Sequence, residues 1–303
     1  MRSHFHQIFR KTSWVSLLIG GLLSCSAETF ADDFKKQADI EYAKVDGISL
    51  KLDLYLPAKQ NEKNAPLIVW IHGGAWRSGS KKSMPLKEMV KAGYAIASVD
   101  YRLSPVAKFP AQVHDIKAAI RFLRAKQGDH GYNAAKIGIA GASAGGHLVA
   151  LVGTTNGHAE LEGSVGDYPD QSSDVQAIVS YYGASNLTTI LKQSTPHGLS
   201  VRVPALELLL AGIPEKQPKL AKLASPVFHV DKDDPPLFLI HGDQDPQMPI
   251  NQSHELHGKY KSLRRPVSFV VIHGAAHGGK AFYDADRNAK VIRFLDGVLR
   301  KQK

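Results

Sequence analysis

The sequence predicts an α/β protein built on a mostly parallel, doubly wound sheet with an antiparallel edge on its N-terminal side. Three observations carry that expectation. Residues 67–71, 94–99, 136–140, 175–182, 237–240 and 267–272 are mainly apolar runs of strand length. Such runs mark strands covered on both faces. Segments of helical periodicity alternate with them in units of the size a parallel crossover needs. Residues 48–56, by contrast, alternate apolar and polar side chains, the period of a half-buried strand in an edge hairpin.

In chain order, residues 1–31 read as an export signal. Arg2, Arg10 and Lys11 precede an apolar stretch, residues 14–23, too short to span a bilayer, and small residues offer cleavage after Ala27 or Ala31. The single cysteine, Cys25, lies in Leu22-Leu23-Ser24-Cys25. That stretch resembles a bacterial lipoprotein box, although Leu23 is bulky for its position. The expectation is a periplasmic or secreted protein, held at a membrane only if Cys25 is lipidated. Cleavage beyond Cys25 leaves a mature chain without disulfide or thiol chemistry.

One folded domain is expected over residues 40–301. Its hairpin strands occupy 40–56, a proline-bounded loop 57–66, and the first buried strand 67–71, which ends in His72-Gly73-Gly74-Ala75-Trp76. Residues 81–92 read as a helix closed by Gly93, and 94–99 as the next strand. A turn-rich loop leads to a helix over 109–126, with Val113, Ile116, Ala119, Ile120 and Leu123 at helical spacing and Gly128 as its stop. The strand 136–140 then meets Gly141-Ala142-Ser143-Ala144-Gly145-Gly146 and a helix to about Val152. Residues 156–174 form a loop and 175–182 a strand. Between 186 and 225 the rhythm breaks, with Pro196, Pro204, Pro214 and Pro218, so a small helical cap over the C-terminal edge of the sheet is expected there. A strand at 237–240, a helix at 251–263, a strand at 267–272 and an amphipathic helix at 285–299 complete the domain.

At 303 residues, 43% hydrophobic and 22% charged, the chain can bury one large core or two modest ones. Net charge is +10, and loss of residues 1–27 leaves +7. The basic residues are scattered apart from pairs such as Lys81-Lys82, so no nucleic-acid partner is expected.

The turn at 141–146 carries the chemistry. A short strand, a glycine-flanked serine and a helix make a nucleophile elbow, in which Oγ stands free and side chains two residues away have no room. Two rival readings fail. A P-loop needs Lys and Ser/Thr where His147 and Leu148 stand, and a dinucleotide fingerprint needs another glycine order. Ala144 would open the helix, where free N–H groups favour a developing oxyanion.

A serine needs a base, and the base needs an acid to orient it. Downstream strand ends offer both. His241-Gly242-Asp243-Gln244-Asp245 holds two candidate acids and His273-Gly274-Ala275-Ala276-His277 two candidate bases. Residue types alone separate neither Asp243 from Asp245 nor His273 from His277.

From about Glu41 to Leu299 the chain resembles the α/β-hydrolase esterases, in particular the group of hormone-sensitive lipase and the bacterial feruloyl and acetyl-xylan esterases. The resemblance rests on residues 72–76, on Asp100-Tyr101-Arg102-Leu103-Ser104-Pro105 with Phe109-Pro110, on 141–146, on His241-Gly242, Asp245 and Pro249, and on Gly274, His277 and Gly278. It implies Ser143, Asp245 and His277 as the catalytic residues, with Asp243 a turn residue and His273 a strand-end residue. It also implies an oxyanion hole of backbone N–H groups from Gly74, Ala75 and Ala144. Ala75 replaces the third glycine of the lipase-like pattern, and Gly73 is the alternative donor. His72 is read as ordering its loop, and Trp76 as core or pocket wall.

No metal or cofactor is expected. His254 and His257 lack zinc-helix spacing. Gln247 and Met248 occupy the third ligand and glycine positions that a calcium loop would require after Asp243 and Asp245. Asp100, Arg102, His114 and Asp115 read as structural. The leading expectation is therefore an exported serine carboxylesterase acting on a small or polysaccharide-linked ester, with activity rising through pH ~6 to 7 as imidazole becomes neutral. A prolyl-oligopeptidase-like peptidase shares the triad order, but only about 35 residues lie between the signal and the first buried strand, too few for a propeller. A non-catalytic binding protein of the same fold would typically lack one of the three residues.

Overall fold

The computed structural model describes residues 34–58 and 65–300; the signal-like segment 1–31, with Cys25, lies outside them. The strands are β1 (Phe34–Val45), β2 (Ile48–Pro57), β3 (Ala65–Ile71), β4 (Ala95–Val99), β5 (Tyr132–Ala142), β6 (Ala177–Tyr181), β7 (Leu237–Gly242) and β8 (Val267–Ile272). They form one sheet in the order β1-β2-β4-β3-β5-β6-β7-β8. β1 and β2 pair antiparallel, as do β2 and β4, and every other pairing is parallel.

The helices are α1 (Lys87–Lys91), α2 (Ala111–Ala125), α3 (Gln127–His130), α4 (Ala144–Gly153), α5 (Ala159–Glu162), α6 (Ile190–Gln193), α7 (Pro196–Leu210), α8 (Pro218–Leu223), α9 (Asn251–Ser262) and α10 (Ala285–Leu295). Leu67, Val69 and Ile71 of β3 join a core with residues of α2, α4, α7 and α9. Ile68 and Trp70 belong to a second core with residues of α1 and α10. Covered on both faces, the strand from Leu67 to Ile71 has no position at which a polar residue could reach water. Each fully buried aliphatic side chain contributes about 1.5–3 kcal/mol relative to exposure.

Several expectations need correction. β2 forms the expected hairpin, but it is not half-buried: Leu50, Leu52, Asp53, Leu54, Tyr55 and Leu56 are all enclosed. It lies between β1 and β4, and its polar face is covered. Asp53 pairs there with Lys81 at 2.6 Å and Lys36 at 2.8 Å. The helix expected over 81–92 is only the five-residue α1. Lys81 is drawn away from helical geometry, its N–H donating to Asp100 Oδ1 at 2.6 Å. Pro85 disfavours helical dihedrals in the residue before it. α2 ends at Ala125, as the pattern over 109–126 predicts, but Gly128 is not its stop: it lies within α3, which closes at Gly131 in the left-handed region at φ 79°.

Between β6 and β7 the prolines do not reduce the segment to short pieces. Thr195 caps α7 by accepting from Gly198 N, Pro196 opens it, and Pro204 lies within it. An interior proline removes one helical hydrogen bond; burial of Ala205, Leu206, Leu209 and Leu210 compensates. Glu255 on α9 ties that helix to the segment after β6, accepting from Asn186 Nδ2 at 2.7 Å and Thr189 Oγ1 at 2.9 Å. The Arg102–Asp115 ion pair, 2.7 Å between Nη2 and Oδ1, fastens the loop after β4 to α2. Among the described residues no helix is long and apolar enough to cross a membrane.

Candidate active site

Ser143 sits alone between the end of β5 and the start of α4, at φ 56° and ψ −118°. Backbone strain of this kind costs a non-glycine residue about 1–3 kcal/mol. Two hydrogen bonds hold it: Ser143 N donates to Tyr181 O at 2.9 Å, and His147 N donates to Ser143 O at 2.9 Å. The flanking glycines are required by contact. A Cβ on Gly141 would lie 2.5 Å from Gly145 O, and one on Gly145 would overlap Ile71 O. The turn is thus pressed against the end of β3.

Ser143 Oγ lies 2.8 Å from His277 Nε2, and His277 Nδ1 lies 2.6 Å from Asp245 Oδ2. The Asp245 side chain is fully enclosed. Its Oδ1 accepts from the N–H groups of Gln247 and Met248, each at 2.8 Å. Burial alone would raise this carboxyl, but hydrogen bonds from His241 and His277 outweigh it and hold Asp245 well below the usual carboxylate range. An ionised Asp245 fixes the His277 proton on Nδ1 and leaves Nε2 as the acceptor for the serine proton. His241 Nε2, 3.3 Å from Asp245 Oδ2, also reaches Met248 O at 3.0 Å, and its Nδ1 faces Ser253 Oγ at 2.7 Å.

Asp243 and His273 pair with each other at 2.7 Å, away from Ser143, with the His273 side chain 86% exposed. Asp243 also accepts from Gly274 N at 2.8 Å, as a turn residue does. Of the two acids and two histidines that residue type leaves open, the structure brings Asp245 and His277 to the serine.

The loop after β3 passes over the elbow. Gly74, Ala75 and Trp76 all lie at positive φ, 111°, 51° and 59°. Gly74 O accepts from Arg77 N at 3.1 Å and Ser78 N at 3.0 Å. A Cβ on Gly73 would lie 2.9 Å from Ala142 O and 3.3 Å from Ser143 Cβ, so this residue rests directly on the serine turn. The N–H groups of Gly73, Gly74, Ala75 and Ala144 donate to no protein group among the described residues. His72 stacks on Tyr101 with ring centroids 4.5 Å apart, and its Nδ1–H donates to Gly73 O at 2.7 Å, which orders the loop. Trp76 is wholly buried and forms no part of the pocket wall.

Ser143 and His277 line an open cavity of about 810 Å³, with Tyr182, Tyr283 and Arg202 also in its wall. The Tyr182 ring stands edge-on to His277, centroids 4.8 Å apart. Sequence reasoning singled out neither Tyr182 nor Arg202, nor His147 as a partner of Trp76. The tyrosine was legible only as the end of a strand run; the arginine was one cation in an apolar, proline-punctuated insertion. Among the described residues no group of three His, Cys, Asp or Glu side chains could hold a metal ion. His254 and His257 both pack against Phe269 instead.

A mostly parallel eight-stranded sheet with serine after β5, acid after β7 and histidine after β8 is the α/β-hydrolase fold. The BD-FAE family model matches residues 52–260, and the chain belongs to that family. It is 31% identical over 232 residues to esterase LipC of Mycobacterium tuberculosis, covering 75% of this chain and 56% of the relative. A solved truncated carbohydrate esterase from gut microbiota is 32% identical with a TM-score of 0.78, covering 89% of this chain and 98% of that one. A thermophilic esterase of the planctomycete Thermogutta terrifontis is 27% identical with a TM-score of 0.69, covering 88% and 92%. The chain spans about half the length of the curated relatives it matches.

Proposed function

We propose that this chain hydrolyses carboxylic esters through a covalent acyl-enzyme. The observation that carries the reading is the 2.8 Å approach of Ser143 Oγ to His277 Nε2, with Asp245 fixed behind it at 2.6 Å. Ser143 Oγ attacks the ester carbonyl carbon while His277 Nε2 takes its proton. The carbonyl oxygen becomes an oxyanion held by the N–H groups of Gly74, Ala75 and Ala144, with Gly73 the alternative donor. One such donor is worth about 2.7–4 kcal/mol in the transition state. Collapse breaks the bond to the alcohol oxygen, to which His277 returns the proton. Water then attacks the acyl-enzyme with His277 again as base, releasing the acid and restoring Ser143. Asp245 stays ionised throughout, orienting His277 and stabilising the imidazolium. The reaction as written uses no cofactor and no metal.

The substrate reading is a short acyl or feruloyl ester on a small molecule or polysaccharide, supported by the likeness to a carbohydrate esterase. Helices α6 to α8 act as a cap that shapes the pocket, supported by the Arg202 side chain they place in its wall. Export belongs to the same reading, supported by Arg2, Arg10 and Lys11 ahead of the apolar residues 14–23, with Cys25 as the site of any lipid anchor. Hydrolysis of p-nitrophenyl acetate, butyrate and decanoate by the mature chain tests it. Preference for the short esters, with turnover lost in Ser143→Ala, is the expected result. A folded wild type no faster than that variant would sink the reading.

A further inference from the structure

Arg202 is the most conspicuous polar group that the ester chemistry leaves without a task. It projects from α7 into the cavity wall, yet the residue is only 1% exposed. Its Nε donates to Gln247 O at 3.2 Å, and its guanidinium lies 5.9 Å from the centre of the Trp76 ring. Nη1 is buried with no hydrogen-bond partner, and neither Nη nitrogen donates to a protein group among the described residues. Nor does Arg202 form an ion pair among them. Burial pushes it down only to about 10, so it remains a cation at neutral pH.

A buried cation without an ion-pair partner is costly, and folded chains normally pair or solvate such groups; the Asp245 carboxylate acts on Arg202 only through space. Here the geometry is built rather than incidental. The start of α7 is docked on the loop that carries Asp245: Thr195 Oγ1 donates to Pro246 O at 2.8 Å, and Gly198 packs against the Pro246 and Gln247 carbonyls. The guanidinium is therefore set beside the reacting centre on a rigid support. Arg77 and Lys82 line the same cavity, and no Asp or Glu among the described residues does. Nε is occupied, which leaves Nη1, buried, and Nη2 without protein acceptors, and that planar fork matches the two oxygens of a carboxylate.

We propose that Arg202 binds a carboxylate carried by the ester substrate, so that the enzyme selects acidic esters over neutral ones of the same size. The proposal rests on the esterase reading and adds the charge of the substrate to it. The carboxylate sits either on the acyl group or on the alcohol, and the test separates the two. Acyl-side charge is probed with p-nitrophenyl hemisuccinate against p-nitrophenyl butyrate. Alcohol-side charge is probed with 4-acetoxybenzoate against phenyl acetate.

In one of the two pairs kcat/KM favours the acidic ester by roughly tenfold or more, mainly through KM, and the preference weakens as ionic strength rises. In Arg202→Met that ratio falls to about one, and Arg202→Lys recovers part of it. Because a buried arginine can be needed for folding, a second measurement uses wild type alone. Succinate or benzoate competes with the neutral ester at concentrations where the corresponding amide does not. Equal rates within both pairs, a preference that survives in Arg202→Met, or inhibition no stronger by the acid than by the amide overturns the proposal while leaving the esterase intact. No turnover of any of the four esters overturns both.

Discussion

The Trp76 indole donates its Nε1–H to His147 Nδ1 at 3.0 Å, tying the loop after β3 to the helix that Ser143 opens. His147 Nε2–H in turn donates to Ala224 O at 2.6 Å, so one neutral imidazole joins loop, elbow helix and the segment after α8. Both rings are entirely buried. Neither has water to fall back on.

Burial pushes His147 down to about 4, below the ordinary imidazole value of about 6.5. Between those two values the unfolded chain binds a proton that the folded chain refuses, so stability falls as pH drops from about 6.5 to 4. This term is worth roughly 3 kcal/mol across the window. In His147→Gln, whose amide can accept from Trp76 and donate to Ala224, the pH dependence of the melting temperature over this range becomes shallower. An unchanged slope would contradict the assignment.

Gly141→Ala and Gly145→Ala set a Cβ against backbone oxygens at the elbow, whereas a Cβ on Gly128 meets nothing within 4 Å. The first two substitutions cost about 3 kcal/mol or more, or abolish activity by displacing Ser143. Gly128→Ala changes stability by less than about 1 kcal/mol, in the stabilising direction. Denaturant melts of the three variants check the contrast.

Asp245→Asn replaces an acceptor shared by His277 and His241 with an amide that favours the wrong His277 tautomer. Activity falls by about 10³- to 10⁴-fold. Asp243→Asn, altered only at the surface pair with His273, loses less than about threefold, since such exposed pairs contribute little. Comparable losses in the two variants would overturn the assignment of the acid.

Lys81→Met leaves the buried Asp53 carboxylate with the partly exposed Lys36 as its one cation and the Asp39 N–H as its other partner. The expected loss is about 3 kcal/mol, most of it recovered by Lys81→Met with Asp53→Leu, because the apolar pair has no charge to desolvate. Chemical denaturation of single and double variants measures both.

The parallel strands were legible because a strand covered on both faces is mainly apolar, as β3 is; β8, at the edge of the sheet with Ser268 exposed, is only partly buried although its sequence reads the same way. Their ends located the site, since ligands and reacting groups gather at the C-terminal edge of such a sheet. Residues 81–86 misled because Lys81 is held by Asp39, Asp53 and Asp100, contacts across 19 to 42 positions that no local pattern displays. The long α7 was hidden by Pro204, whose cost is offset by tertiary packing. His147 and Arg202 carried no sequence signal beyond being polar in apolar surroundings. Their partners Trp76 and Gln247 become neighbours only when the chain closes.

The central claim is that Ser143 becomes covalently acylated, and stoichiometric labelling tests it most directly. Diethyl p-nitrophenyl phosphate should release one nitrophenolate per chain and leave a diethylphosphoryl group on Ser143 Oγ, found by peptide mass mapping. His277→Ala should slow the labelling by orders of magnitude, and Ser143→Ala should show none. A label on another residue, or equal labelling of Ser143→Ala, would contradict the account.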